Sequence, residues 1–187
     1  MKLVILDRDG VINRDSDEYI KCLAEWLPIE GSIEAIARLN QAGFTVAVAT
    51  NQSGLGRGYF DLDELEAMHA RLNELVNDAG GEIAGIFYCP HKPDDGCNCR
   101  KPAAGLLDTI AEELKAELTG AVVIGDSLRD LEAGIARNCL PILVRTGKGA
   151  DTEKKLAGHR DSRIKHTQVF EDLATAAKHL ITQQNHT

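Results

Sequence analysis

The feature that most constrains this chain is an alternation of two patterns. Five short apolar runs, Leu3 to Leu6, Thr45 to Ala49, Ile83 to Tyr88, Ala121 to Ile124 and Pro141 to Val144, are separated by longer segments of helical period. Each run has the length of a strand buried on both faces. The first helix is expected to take Ser32 as its N-cap, run through Ile33, Ile36 and Ala37, and stop at Gly43. In the second, Asp61 and Glu64 have capping-box spacing, Leu65, Met68, Leu72, Leu75 and Val76 form one face, and Gly80 and Gly81 end it. A third is expected from near Pro102, with Leu107, Ile110, Ala111, Leu114 and Leu118 before Gly120, and a short fourth after Ser127. A strand near Gln168 to Phe170 and a helix from about Asp172 to Thr182 follow. Repeats of this kind build right-handed βαβ units, so the expected class is α/β, a mostly parallel sheet with helices on both faces.

The length of 187 residues suits a single domain spanning 1–187. No apolar run approaches the roughly 18 residues of a membrane span, and Leu3 to Leu6 is too short for a signal-peptide core, so a cytoplasmic protein is expected. The net charge of −8 argues against nucleic acid or an anionic membrane as partner, and a monomer or small homo-oligomer is expected. In a reducing compartment, the five cysteines read as free thiols or a metal site.

Parallel sheets of this class bind ligands outside the carboxyl ends of their strands. The residues that close the five runs there are Asp7, Thr50, Cys89, Asp126 (after Gly125) and Arg145, each with chemistry of its own. Asp7-Arg8-Asp9-Gly10 can be read as a turn, because Asp-Gly favours one. It does not suit a calcium loop, since Ile12 stands where that loop needs Gly. Its functional reading is two carboxylates with different tasks, a nucleophile held against a cation and an acid or base beside it. Gly125-Asp126-Ser127-Leu128-Arg129-Asp130 brings two more carboxylates to a neighbouring strand end. Such a cluster calls for a hard cation such as Mg²⁺, and Thr50, Arg100 and Lys101 offer a hydroxyl and two cations to a phosphate.

Cys89-Pro90-His91 and Cys97-Asn98-Cys99 lie in one loop, with spacing Cys-x-His-x5-Cys-x-Cys. Three thiolates and an imidazole make a closed tetrahedral set, the pattern of structural Zn²⁺, in a zinc loop at 89–99. Cys97 and Cys99 are poorly spaced for a disulfide, and Cys22 and Cys139 read as plain thiols. Arg100 and Lys101 follow the last ligand at once, so the zinc loop is expected to aim both at the phosphate site.

Asp7-x-Asp9-Gly10, Thr50, Lys101 and Gly125-Asp126-x-x-x-Asp130, in this order on successive strands, resemble the haloacid dehalogenase-like phosphohydrolases over nearly the whole chain. The resemblance implies a Rossmann-like core and a Mg²⁺-dependent phosphomonoesterase working through an aspartyl phosphate. It implies that Asp7 attacks phosphorus, that Asp9 is the acid and base, and that Thr50 and Lys101 hold the phosphoryl group. Asp7, Asp126 and the Asp9 carbonyl would ligate Mg²⁺, with Asp130 in support. Tyr88-Cys89-Pro90-His91-Lys92-Pro93, Cys97 to Pro102, Thr50-Asn51-Gln52-Ser53-Gly54 and Thr146-Gly147-Lys148 further resemble the D-glycero-D-manno-heptose 1,7-bisphosphate 7-phosphatases. These act on a small phosphorylated sugar in the making of nucleotide-heptose and lipopolysaccharide precursors. The resemblance implies that Asn51, Gln52, Ser53, Arg100, Lys101 and the loop around Asp15 to Tyr19 contact the substrate. Ser127 stands where many heptose enzymes carry Lys. About 22 residues separate Gly10 from the first helix, too few for a cap domain, so an open pocket is expected.

Histidinol-phosphate phosphatases share these motifs and are the main rival reading. A phosphatase of nucleic acid 3′ ends is disfavoured by the acidic charge. A receiver-type phosphoacceptor shares the Asp, Thr and Lys but lacks the second carboxylate that Asp9 supplies, and a non-catalytic zinc-stabilised protein would not need every catalytic residue type.

Overall fold

All five apolar runs, and the strand expected near Gln168 to Phe170, become strands of one parallel sheet: β1 (Lys2–Leu6), β2 (Phe44–Asn51), β3 (Gly85–Cys89), β4 (Val122–Gly125), β5 (Leu140–Val144) and β6 (Gln168–Phe170). The structure, a computed structural model, describes residues 1–184. The strand order is β3-β2-β1-β4-β5-β6, with every neighbouring pair parallel. The chain runs outward from β1 to β3 and returns to β4 on the other side of β1. That reversal opens a crevice at the carboxyl ends of β1 and β4, where such sheets hold ligands.

The helices are α1 (Ser32–Gln41), α2 (Ser53–Gly56), α3 (Leu62–Asp78), α4 (Gly105–Leu114), α5 (Leu128–Ile135), α6 (Gly149–Leu156), α7 (Ser162–Lys165) and α8 (Leu173–Gln184). Alternation along β1 divides them between the two faces of the sheet. Val4 and Leu6 pack in one core with Ile36 and Leu39 of α1, Leu65, Met68 and Leu72 of α3, and Leu173 and Ala176 of α8. Leu3 and Ile5 point to the other face, into a core with Leu106, Leu107 and Ile110 of α4 and Ala133 of α5. Full burial of each large aliphatic chain contributes about 1.5–3 kcal/mol, so both layers hold β1 firmly. The catalytic candidates leave from its end.

Several helix boundaries differ from expectation. Gly31, with φ of 79°, is the N-cap of α1, and Ser32 is its first residue. The Ser32 hydroxyl instead donates to the Ile12 carbonyl at 2.6 Å, pinning the loop that follows β1. Asp61 does cap α3, accepting from the Glu64 N–H at 3.0 Å. α4 begins at Gly105 rather than near Pro102, because residues 100–104 form a turn closed by Ala103 N–H to the Arg100 carbonyl. It stops at Leu114, where Lys115 takes φ of 50°. α2, α6 and α7 were not expected from the sequence. α6 and α7 lie in a charged stretch whose few apolar anchors, Leu156 and Ile164, reach a small core with Leu131, Ile135 and Leu143. Two anchors are too few to show a helical period.

Among the described residues no cap domain covers the carboxyl edge of the sheet, and no helix is long and apolar enough to cross a membrane.

Candidate active site

Asp7 extends β1 by one residue, its N–H donating to the Ile124 carbonyl at 3.0 Å, so its side chain starts from a rigid edge. The chain then turns sharply: the N–H groups of Val11, Ile12 and Asn13 all converge on the Arg8 carbonyl. Asp126 follows β4 on the neighbouring strand. Ser127 caps α5 and accepts Asp130 as its capping-box partner, with Asp130 Oδ2 receiving both the Ser127 N–H at 3.0 Å and its hydroxyl at 2.7 Å. One helix start thereby fixes two of the site's carboxylates.

Lys101 enters this cluster from the zinc loop side. It is 3% exposed, and its Nζ reaches Asp130 Oδ1 at 2.6 Å, Asp7 Oδ1 at 3.0 Å and the Ala49 carbonyl at 2.6 Å. Burial works against its charge, but Asp130 and Asp7 outweigh burial and raise its affinity for the proton. The carboxylates show the opposite strain. Burial, then the charge of Asp130, pushes Asp7 well above the usual carboxylate range despite Lys101. Burial and Asp130 likewise push Asp126 up to about 7, against the hydrogen bond from the Lys148 N–H.

That strain is what a hard cation relieves. Oxygens of Asp7, Asp126 and Asp130 lie within 4.8 Å of one another. The hydrogen bonds of Asp7 fall on Oδ1 and that of Asp126 on Oδ2, so the other oxygen of each carboxylate is available to a cation. These residues fit Mg²⁺, which takes one or two carboxylates together with waters and phosphate oxygens. Asp130, engaged by Lys101 and Ser127, braces the set.

Gly10 and Gly147 clasp Asp126 from outside. Gly10 has φ of 86° and Gly147 φ of 57°, and a Cβ on either would stand 2.1 or 2.2 Å from Asp126 Oδ2. The approach is possible only without side chains. The Thr146 hydroxyl donates to the Gly10 carbonyl at 2.6 Å, and the Thr152 hydroxyl to the Asp126 carbonyl at 2.8 Å.

Asp9 turns away from the cluster into its own set of donors. Arg8 Nε and Nη2 reach Asp9 Oδ1 at 3.1 and 2.9 Å, Nη2 also reaches Oδ2 at 3.1 Å, and Asn13 Nδ2 reaches Oδ1 at 2.8 Å. Gln52 Nε2 donates to Asp9 Oδ2 at 2.8 Å and to Thr50 Oγ1 at 2.9 Å. Burial raises the Asp9 carboxyl, but Arg8 and the bonds from Asn13 and Gln52 outweigh it and hold it below the usual range. The neighbouring guanidinium leads the groups that tip this balance.

Asp7, Asp9, Thr50, Lys101, Asp126 and Asp130 line one cavity of about 320 Å³, together with Asp15, Tyr19, Asn51, Gln52, Ser53 and Arg100. Within it, the Asn51 side chain is engaged in a reciprocal pair with the Lys101 main chain, at 3.0 Å each way, and Gln52 is engaged by Asp9 and Thr50. Both therefore shape the wall. Asp15 pairs with Lys148 Nζ at 3.4 Å, and Tyr19 packs edge-on against Tyr59 at 5.1 Å. Arg145, expected at the shared edge, is outside the cavity: its guanidinium pairs with Glu153 and Glu171, tying β5 to α6.

The cysteine and histidine set converges. Cys89 Sγ lies 3.6 Å from Cys97 Sγ and 3.1 Å from Cys99 Sγ, and His91 Nδ1 lies 3.5 and 3.2 Å from Cys89 and Cys99. Four ligands around Zn²⁺ at about 2.3 Å stand about 3.8 Å apart, so the set fits a closed zinc site with slight expansion. Cys97 is pulled down to about 7, its burial outweighed by N–H donors led by Arg100. Arg100 Nη1 donates to the His91 carbonyl at 3.3 Å, so the zinc loop does orient this cation.

Five residues of this site escaped the sequence reading in their roles: Arg8, Asn13, Arg57, His69 and Arg129. Arg8 is fully buried and its Nη1 meets His69 Nε2 at 3.2 Å. Burial and the Arg8 charge push the His69 imidazole down to about 4. A histidine inside the apolar stripe of α3 was the available signal. Arg57 and Arg129 line the cavity, and Arg100 has its proton affinity lowered by burial and by the Arg129 charge.

The haloacid dehalogenase-like hydrolase family matches residues 2–136, and a HAD-hydrolase-like family matches residues 98–176. The chain belongs to the haloacid dehalogenase-like hydrolases. A D-glycero-beta-D-manno-heptose-1,7-bisphosphate 7-phosphatase of Pseudomonas aeruginosa is 59% identical over 179 residues, covering 96% of this chain and 97% of the relative. One from Neisseria meningitidis is 50% identical over 98% of this chain and 96% of the relative. The crystal structure of D,D-heptose 1,7-bisphosphate phosphatase from Bordetella bronchiseptica, complexed with magnesium and phosphate, is 49% identical with a TM-score of 0.91, covering 98% of this chain and 99% of that one.

Proposed function

We propose that this protein is a Mg²⁺-dependent phosphomonoesterase of one domain that removes the 7-phosphate of D-glycero-D-manno-heptose 1,7-bisphosphate through an aspartyl phosphate on Asp7. The observation that carries the reaction is the placement of Asp7 between the Lys101 ammonium at 3.0 Å and the oxygens of Asp126 and Asp130. Mg²⁺, when bound by Asp7, Asp126 and the Asp9 carbonyl, would neutralise phosphoryl charge and hold Asp7 ionised. Asp7 attacks phosphorus in line, Lys101 and the Thr50 hydroxyl hold the equatorial oxygens, and Asp9 protonates the departing sugar oxygen. Asp9 then takes a proton from the water that releases phosphate from Asp7.

The substrate assignment rests on the names of the high-identity relatives and on charge at the cavity mouth. Arg57, Arg100 and Arg129 line the cavity and none of them forms an ion pair among the described residues. Three guanidinium groups that pair with no carboxylate among the described residues suit a second phosphate better than the ammonium of histidinol phosphate. We place the activity in the cytoplasm, where closely spaced thiols stay reduced.

The test compares kcat/KM for heptose bisphosphate, histidinol phosphate and an aryl phosphate, with Arg129→Ala and Asp7→Asn beside the wild type. Expected are a strong preference for the bisphosphate, a rise in KM of about tenfold for it alone in Arg129→Ala, and no hydrolysis by Asp7→Asn. Equal rates on all three substrates would overturn the substrate, and turnover by Asp7→Asn would overturn the covalent route.

A further inference from the structure

Among the described residues Arg8 is the largest fully buried side chain, and it lies between Asp7 and Asp9 in sequence. A guanidinium has only donors, so each partner must accept. Nε and Nη2 fork onto Asp9, and Nη1 is directed at His69 Nε2. His69 Nε2 must then carry the lone pair, with the ring proton on Nδ1. Its ring packs against Tyr88 of β3, with centroids 6.0 Å apart. The fork is therefore held from behind by a residue of α3 that lies 61 positions along the chain.

The two oxygens of Asp9 are not equivalent. Oδ1 receives Arg8 Nε, Arg8 Nη2 and Asn13 Nδ2. The Asn13 NH2 also donates to the Arg14 carbonyl at 3.0 Å, so two acceptors fix that amide's orientation and leave its own Oδ1 buried without a partner. Such a network fixes the orientation of the Asp9 carboxylate. Oδ2 receives Gln52 Nε2 at 2.8 Å, which also reaches the Thr50 hydroxyl, and Arg8 Nη2 at 3.1 Å, so Oδ2 carries two donors to the three on Oδ1.

We propose that His69 is a positioning residue: it locks Arg8, and Arg8 and Asn13 in turn hold the Asp9 carboxylate in the orientation in which it meets the leaving group. This rests on the acid and base role proposed for Asp9. In the first step the Asp9 proton passes to the bridging oxygen as its bond to phosphorus breaks and the bond from Asp7 forms. In the second, water attacks the phosphorus of the aspartyl phosphate, Asp9 accepts the water proton, and the Asp7 carboxylate leaves. The cycle returns Asp9 to its starting form.

The test uses leaving-group dependence, which a purely structural role of His69 would not move. An alkyl phosphate needs a proton on its departing oxygen, whereas 4-nitrophenyl phosphate departs without one. kcat/KM reports only the first step, so it isolates acid catalysis from dephosphorylation. His69→Leu removes the acceptor for Arg8, and His69→Gln restores one. Expected is a loss of about 10- to 100-fold on the sugar phosphate in His69→Leu with less than about threefold on the aryl phosphate, and recovery to within about threefold in His69→Gln. If His69→Leu does not fold, His69→Asn, too short to meet Arg8, replaces it. Equal losses on both substrates, or no loss on either, would overturn the positioning role. Asp9→Asn is run alongside: if it too fails to separate alkyl from aryl substrates, the acid role of Asp9 is what falls.

Discussion

Removing Mg²⁺ while keeping zinc in place exposes the electrostatic strain of the carboxylate cluster to a stability measurement. Burial and Asp130 move the Asp126 carboxyl from 3.8 to about 7. A carboxyl that holds its proton more tightly folded than unfolded contributes stability present below the unfolded value and lost as pH rises through the folded one. At about 1.36 kcal/mol per pH, the loss between about pH 4 and pH 8 is about 4 kcal/mol, a large part of the roughly 5–15 kcal/mol that holds a domain together. His69 acts in the other direction. Its imidazole moves from 6.5 down to about 4, so the folded state gains about 3 kcal/mol as pH rises through that window. The two effects oppose each other up to about pH 6.5, and the raised Asp7 carboxyl adds its own loss to the raw profile. The informative quantity is therefore the difference between wild type and Asp126→Asn, which keeps an acceptor for the Lys148 N–H and does not titrate. Urea unfolding of both Mg²⁺-free proteins across about pH 4–8 should show Asp126→Asn gaining about 4 kcal/mol on the wild type by about pH 7.5 and nothing further above it. Adding Mg²⁺ should return stability to the wild type alone, most at high pH. A difference that stays constant with pH, or that shrinks as pH rises, would refute the account of Asp126 as a buried, repelled carboxylate.

Two other perturbations probe the frame around the site. Replacing Cys99 by Ser, or chelating zinc, should lower the unfolding temperature and abolish turnover together, because the same loop positions Arg100 and Lys101; full turnover by protein shown to be zinc-free would refute the coupling. Gly147→Ala places a Cβ 2.2 Å from Asp126 Oδ2 at φ of 57°, so it should cost about 1–3 kcal/mol and weaken Mg²⁺ binding about tenfold by calorimetry. Unchanged Mg²⁺ affinity would mean that the glycine clasp does not set the position of Asp126.

The strands were legible because burial on both faces demands unbroken apolar runs, which few other structures produce. The residues at their carboxyl ends were legible for a related reason: a parallel sheet sends every strand end to one edge, so Asp7, Thr50, Cys89 and Asp126 meet whatever the helices do. The zinc ligands were fixed by residue type and short spacing within one loop. Helix limits were less legible. Ser32 has the chemistry of a cap but is drawn to the Ile12 carbonyl, and α6 and α7 depend on contacts with Leu131, Ile135 and Leu143 that lie on other elements.

Local chemistry in this chain is written locally: strand runs, turn glycines, paired carboxylates and metal ligands each carry their signal within about ten residues. Partnership between distant residues is not. Arg145 ends a strand like its neighbours, yet it pairs with Glu153 and Glu171 and leaves the site. His69 belongs to the apolar face of a helix, yet folding brings it to Arg8 and so to Asp9. Lys101 lies 52 residues from the Ala49 carbonyl it binds. Which charges are buried together, and therefore which proton affinities move, depends on distance and solvent exclusion, and those exist only once the sheet has closed its two cores around the ends of β1 and β4.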